Sequence, residues 1–408
     1  MGELFGVIAN EWTKLLRRKR LWVAGALMLL TVGLFGLTSY EAHKNILQNT
    51  PQMQLQQTQQ MLTGLQSNKA QAQANQPEIQ SLQQQIASLK TQIAAEKPGA
   101  DWRKPLLQQR TILQKQMAQV PVRERVHSQV WHLEQGQLLQ MNYQLAHNVK
   151  PPTGYQTSAY DQIMQYLTFT SMLFLPLTVV ILVADMVAGE ATDGTIKLLL
   201  VRPVSRSKIL LGKWITSLIA AALATAVTCA ALWAVGVAVF GGAGANQPQL
   251  VNVTYTSQSA ALDPNSGGGA GTTTGQELIA HYGHAAIVSM GTYFFVSVLL
   301  TIFAMLVVAT VGFLASTLFR SAMASTGVAL GVVIIGFVLS QMAAHVKWIV
   351  DTFFPVHLAL FSDWSGALSQ QAQVPVSLSL GTTVLVVWGV VCLAVSLFYF
   401  SRRDVLNA

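Results

Sequence analysis

The chain has 408 residues, 51% of them hydrophobic and only 10% charged, with a formal net charge of +8. Apolar runs of this length exceed what a soluble core holds, which excludes a soluble protein and describes a polytopic membrane protein. The positive excess does not read as affinity for nucleic acid, because the charges sort by side of the membrane.

Residues 1–20 hold Leu4, Phe5, Ile8, Trp12, Leu15 and Leu16 on one helical stripe, with Glu3, Asn10, Glu11 and Lys14 off it. The basic run Arg17-Arg18-Lys19-Arg20 follows, so this piece reads as an amphipathic helix lying on the inner leaflet. A cleaved signal peptide fits less well, since a striped n-region is unusual and no clear A-x-A site follows. The first span covers residues 21–39, just long enough to cross.

Residues 40–160 form a long hydrophilic insertion with a Gln-rich start. Ile79, Leu82, Ile86, Leu89 and Ile93 step by three and four, a heptad seam. Lys97-Pro98-Gly99 breaks that helix, and Pro105 suits the first turn of a second arm carrying Leu106, Leu113, Met117, Val120, Val126, Val130 and Leu133. Pro121 kinks or splits this second arm. The expectation is an antiparallel, coiled-coil-like hairpin outside the membrane, its first arm paired with its second. Span two, about 163–184, is expected to kink at Pro176.

Between spans two and three, residues 186–208 form a charged loop that must lie in water. Lys197, Arg202, Arg206 and Lys208 give it a positive excess, with Lys213 just beyond, and Glu190 and Asp193 stand near its start. The two acids are expected in the first turn of a short helix, where carboxylates complement the dipole. Arg202-Pro203 ends that helix, and Ser205 is a candidate cap for the next. The run Glu190, Gly194, Thr195, Ile196, Leu199, Leu200, Pro203, Val204, Ser205, Arg206, Ile209, Leu210, Gly212, Lys213 fills the pattern E-x-x-x-G-T-[IL]-x-x-L-L-x-x-P-V-S-R-x-x-[IL]-L-x-G-K. This resembles the segment between the second and third spans of type-2 ABC exporter permeases (the ABC-2-type family). The resemblance implies a coupling helix that rests in a groove of a separate ATP-hydrolysing subunit. The residues it assigns to ATPase coupling are Glu190, Asp193, Gly194, Thr195, Leu199, Leu200, Arg202, Pro203 and Arg206. It also implies that residues 1–20 are the family's elbow helix.

Residues 161–408 supply spans two to six. The third is about 214–240, and a Gly/Ser/Thr-rich outer loop follows, including Gly267-Gly268-Gly269-Ala270-Gly271. No preceding strand and no G-K-[ST] accompany it, so it reads as a flexible linker. Spans four to six are placed at Ala285–Ser316, Ala322–Ala344 and Leu378–Phe400. Residues 345–377 return outside, where Phe353, Phe354, Val356, Leu358 and Phe361 mix with Asp351, His357 and Asp363, and that piece is expected to lie on the outer surface as a short amphipathic helix with Pro355 in its first turn. Gly327 and Gly331 make a GxxxG in span five, either a close-packing seam or ordinary membrane-helix glycines.

With this topology thirteen Lys and Arg are cytosolic and the short outer loops hold one, Lys347. That asymmetry puts both termini in the cytosol of a plasma membrane, and the family implies a bacterial one. The fold class is therefore all-α and polytopic, with six transmembrane helices. No catalytic, cofactor-binding or metal residue is assigned. The eight His, including His127/His132 and His281/His284, lie outside and read as surface residues. Cys229 and Cys392 fall within spans, so no disulfide staples the outer part.

No G-x-x-x-x-G-K-[ST] occurs, so ATP and magnesium belong to a partner ATPase subunit rather than to this chain. None of the span cores carries Asp, Glu, Lys, Arg or His, which argues against ion-coupled transport and for an apolar or amphipathic substrate. The resemblance implies two permease chains, identical or different, with two ATPases. Two alternatives stay open: a permease resembling sodium-extruding relatives, and a membrane-anchored structural or sensing protein acting through its outer hairpin.

Overall fold

The computed structural model describes the chain apart from residues 1, 68–75, 97–100, 126–127, 153–157, 195–204, 260–275, 343–345 and 403–408. The helix α1 (Gly2–Arg17) is followed after one residue by α2 (Lys19–Gln48), because Arg18 is extended, with φ −79° and ψ 138°. Helix α2 carries the first span and then continues about ten residues past it.

Among the described residues five helices are long and apolar enough to cross a membrane: α2, α11 (Arg206–Phe240), α12 (Met290–Leu318), α13 (Ala322–Met342) and α17 (Leu378–Arg402). A sixth crossing is available if α8 (Ala159–Met172) and α9 (Phe174–Val183) act as one span bent by 44°. The bend falls at Leu173, three residues before Pro176. Pro176 lacks the N–H that would bond the Met172 carbonyl, and its ring crowds that carbonyl, so the break appears one turn upstream of the proline. Several buried hydroxyls in the spans are satisfied within their own helices, as where Thr225 and Thr228 donate to Ala221 and Ala224 carbonyls at 2.8 Å. Apolar side chains such as Ile335 on α13 and Val390 on α17 are exposed, as membrane-facing positions must be. Gly327 and Gly331 also face away from the bundle, with nothing of the chain near them.

Residues 40–160 depart from the single hairpin expected. Helix α3 (Pro51–Ser67) packs along α4 (Gln76–Glu96), while α5 (Arg103–Gln119) packs against α7 (Gln129–Ala146) beyond the short α6 (Val122–Arg125). The seam of Ile79 and Leu89 is buried, but its partner is α3, not the second arm. Leu55, Thr58, Leu62 and Leu65 of α3, half-buried, supply the facing steps of three and four. On the second hairpin Leu106 and Leu113 meet Met141, whereas Leu133 is exposed; Val126 lies outside the described residues.

The loop after span three is also not simply a linker. Its described residues include four strands in two antiparallel ladders: β1 (Pro248–Val251) with β4 (Ala286–Ser289), and β2 (Thr254–Ser259) with β3 (Gln276–His281). Val251, Val253 and Tyr255 are buried while Asn252 and Thr254 are exposed, the period-2 alternation of a half-covered sheet. The Gly-rich stretch 267–271 lies outside the described residues. Span four accordingly starts at Met290 rather than Ala285, capped by Ser289, whose Oγ accepts from Thr292 N–H at 3.3 Å. Helix α7 lies across these strands. Gly136 lets it approach, since a Cβ there would stand 2.8 Å from the Tyr282 ring.

Residues 353–363 do not form a surface helix but are mostly buried. The stretch 347–372 runs as α14 (Lys347–Thr352), a 3-10 turn (Phe354–His357), α15 (Leu360–Ser365) and α16 (Ala367–Ala372). Phe354, Val356, Leu358, Leu360 and Phe361 are buried, and Phe354 packs on Trp388 of α17 with ring centroids 5.1 Å apart. The segment is a wedge set between spans five and six. Pro355 sits against Gly336 of α13, where a Cβ would come within 2.8 Å of its ring. The wedge is also tied to the strands: Asn252 N–H donates to the Trp364 carbonyl at 2.8 Å, and Gln370 donates to Tyr255 Oη at 2.8 Å.

Candidate functional site

Helix α10 (Ala188–Thr192) is a single short turn of helix at the end of span two. Glu190 falls in its first turn, as expected, but Asp193 is its C-terminal cap rather than a first-turn acid. Gly194 follows with φ +69°, the left-handed residue that ends the helix at no steric cost.

The amino end of this turn and the residues beside it are tied to other elements, while its carboxyl end is closed by the Asp193 and Gly194 N–H groups. The orphan N–H groups of Val187 and Ala188 donate to Ser316 Oγ, at 2.9 and 3.1 Å, from the end of span four. Ser325 Oγ, in the first turn of span five, donates to the Ala184 carbonyl. Thr192 Oγ1 accepts from Ala322 N–H at 3.0 Å. Asp185 is held by Arg18 at 2.8 Å and by Arg20 at 3.2 Å, and Arg20 also donates to Thr326 Oγ1 at 2.7 Å.

Glu190 is buried, and a carboxylate is stable there only if it is paired. Lys213 Nζ lies 2.9 Å from Glu190 Oε1 and 2.7 Å from Glu11 Oε2, with Lys213 itself 2% exposed. Lys14 Nζ completes the set, 2.8 Å from Glu190 and 3.2 Å from Glu11. Two acids and two bases thus form a neutral quartet that joins α1, α10 and the first turns of α11. Burial works to raise the Glu11 carboxyl, but Lys213 and then Lys14 more than offset it and hold it below the usual carboxylate value. Burial likewise works to lower the Lys14 ammonium, and Glu190 and Glu11 hold it above its ordinary value.

This arrangement sorts the residues that the sequence singled out. Glu190 is an internal strut, whereas Asp193, Gly194 and Arg206 are exposed at the tip. Thr195, Leu199, Leu200, Arg202 and Pro203 lie outside the described residues. Ser205 occupies the cap position of α11, but its side chain makes no capping bond. Glu11, Lys14, Arg18, Asp185, Lys213 and Ser316 were not singled out as partners of this segment. The signal for Glu11 was available: Ile8, Glu11, Trp12 and Leu15 fall at i, i+3, i+4 and i+7, so Glu11 lies on the helix face that packs. In the structure Leu15 is indeed buried with it, while Phe5 and Leu16 point away from the bundle.

No group of three His, Cys, Asp or Glu that could hold a metal occurs among the described residues. His132 and His281 approach with ring centroids 5.0 Å apart, and His127 lies outside the described residues.

The family described as "ABC-2 family transporter protein" matches residues 6–405, nearly the whole chain. The chain belongs to the ABC-2 transporter family. It is a multi-pass membrane protein and, as members of this family are, a membrane component of the transporter rather than its ATPase. It is also 25% identical over 308 residues to the uncharacterized protein YhcI of Bacillus subtilis (strain 168), covering 75% of this chain and 85% of that one. ABC-2 permeases in general partner with ATPase subunits and form dimers, and the junction around α10 is where this ABC-2 chain gathers its spans.

Proposed function

We propose that the chain is the permease half of an ATP-driven exporter, working as two permease chains with two separate cytosolic ATPase subunits that carry the ATP and magnesium. The ATPase docks on the exposed tip Thr192–Gly194 with Arg206 and Lys208 beside it. The observation that carries this reading is the convergence on residues 184–194. The elbow helix binds them through Lys14, span one through Arg18 and Arg20, span three through Lys213, span four through Ser316 and span five through Ser325. A displacement of residues 184–194 therefore reaches spans one, three, four and five through direct polar contacts. Asp193 and Gly194 are the coupling residues proper, and Glu190 passes their movement to the elbow and span three.

The cargo is an apolar or amphipathic molecule. Residues 163–184, 214–240, 290–318, 322–342 and 378–400 contain no Asp, Glu, Lys, Arg or His, so a path among them has no fixed charge to bind an ion. The neighbouring reading frame should encode a Walker-type ATPase, and coexpression with it tests the proposal. The pair should co-purify, and Asp193→Ala combined with Gly194→Leu should abolish both co-purification and transport while the chain still inserts. Normal assembly and transport in that double variant would overturn it.

A further inference from the structure

The wedge between spans five and six contains one buried ionisable pair that the coupling junction does not use. His357 and Asp363 are 0% and 2% exposed. His357 Nδ1 stands 2.7 Å from Asp363 Oδ2, and His357 Nε2 stands 2.7 Å from the Val350 carbonyl oxygen. A carbonyl oxygen can only accept, so Nε2 must carry a hydrogen. With only that one hydrogen on the ring, Nδ1 would be a bare acceptor facing a carboxylate oxygen at hydrogen-bond distance. Two acceptors do not sit 2.7 Å apart in an apolar site, so a second proton lies between Nδ1 and Oδ2, whichever atom owns it.

The pair is placed where this proton has mechanical consequences. Gly381, in the first turn of span six, lies directly against it, and a Cβ there would collide with the Asp363 carboxylate and the His357 ring. One turn of chain away, Pro355 packs on Gly336 of span five. His357 closes the 3-10 turn and Asp363 belongs to α15, so the pair clamps the two halves of the wedge together while it rests on span six. The groups around it do not supply a substitute. Asp351 of α14 faces His357 but is engaged by Lys347 at 2.8 Å, and Tyr293 of α12 spends its hydroxyl on the Phe361 carbonyl at 3.2 Å. The packed faces of α13 and α17 bring Gly336, Gly381 and Trp388, none of them titratable.

We propose that His357 and Asp363 form a one-proton latch that holds the wedge seated between spans five and six, and that loss of this proton releases it. Deprotonation would leave a buried net negative charge on two facing acceptors, which separation and hydration relieve. The direction of the titration follows. Burial works to lower the His357 imidazole, but Asp363 more than offsets it and holds it above its ordinary 6.5. Burial raises the Asp363 carboxyl, with His357 offsetting only part. The latch is therefore fully made below the imidazole's ordinary pKa and lost as pH rises through the raised value. On the permease reading above, release of the wedge would ease opening at the far end of the spans from α10, but the latch itself can be tested without transport.

The test uses the full chain in lipid nanodiscs with Cys229 and Cys392 replaced by Ala. One reporter thiol is placed at buried Ser362 and, in a second preparation, at exposed Ser257 on β2. The ratio of the two alkylation rates removes the intrinsic effect of pH on a thiol. The ratio should be low at about pH 6 and rise, by up to about tenfold per pH unit, the limit for one proton, as the latch titrates. Asp363→Asn supplies an amide N–H to Nδ1 in place of the shared proton, so its ratio should stay low and flat to about pH 10, while Asp363→Ala should be high and flat. A flat wild-type ratio would overturn the latch, and so would an Asp363→Asn chain that is open or still titrates. The wild-type profile and the Asn variant decide the matter even if the Ala variant does not fold.

Discussion

Replacing Lys213 by Met removes one cation from the quartet and keeps the packing volume. Glu11 and Glu190, 1% and 4% exposed, would then lose that ammonium and keep Lys14, which is far more exposed and holds Glu11 at the longer distance of 3.2 Å. Breaking a buried ion pair by removing one partner costs about 3–5 kcal/mol, because it leaves an uncompensated charge in a low dielectric. Here the strain is relieved by lifting α1 off α11, which returns Glu11 to water. Amide hydrogen exchange along α1 in the full chain reads this opening directly, and the same free energy corresponds to acceleration by about two to four powers of ten. Adding Glu11→Gln and Glu190→Gln to Lys213→Met should recover much of the protection, since the buried charges are then gone. Exchange of α1 in Lys213→Met within about threefold of wild type would place the quartet among weak surface pairs and refute the strut.

Acid should loosen the same contact. Glu11's carboxyl is held below its ordinary value of 4.5, so its contribution is full above that pH and lost as pH falls through the lowered value, seen as cleavage of α1 by pepsin. Gly194→Ala, at φ +69°, should cost about 1 kcal/mol locally and weaken ATPase co-purification without unseating α1. Gly136→Val should drive the Tyr282 ring from α7 and expose the second outer hairpin to protease, leaving the spans inserted. Ile86→Asp with Leu89→Asp should open α4 from α3 while α5 and α7 stay protected; loss of protection in both hairpins would contradict their separate packing.

The apolar stretches, the charged loop before span three and the seam of α4 were legible because each rests on a long, one-signed pattern. The register of partners was not. The stripe Leu55, Thr58, Leu62, Leu65 is diluted by Gln, so α3 looked like Gln-rich filler and the seam of α4 was assigned to the wrong helix. The alternation Val251, Asn252, Val253, Thr254, Tyr255 was in plain view, but the glycines and serines after it suggested a linker. Glu11 was set aside because it is charged, although its spacing put it on the packed face. Its burial depends on Lys213, some two hundred positions away, which no local pattern reveals. For the same reason His357 and Asp363 passed as outer-surface residues. Only the fold shows that Gly381 of span six makes room for them.

The most direct measurement of the central claim is site-specific cross-linking in the complex with the ATPase. Asp193→Cys carrying a short photo-cross-linker should join the permease to the ATPase in high yield, and the same probe at Ser257 on β2 should give none. An intact complex in which position 193 yields no ATPase adduct would contradict the assignment of this tip as the coupling surface.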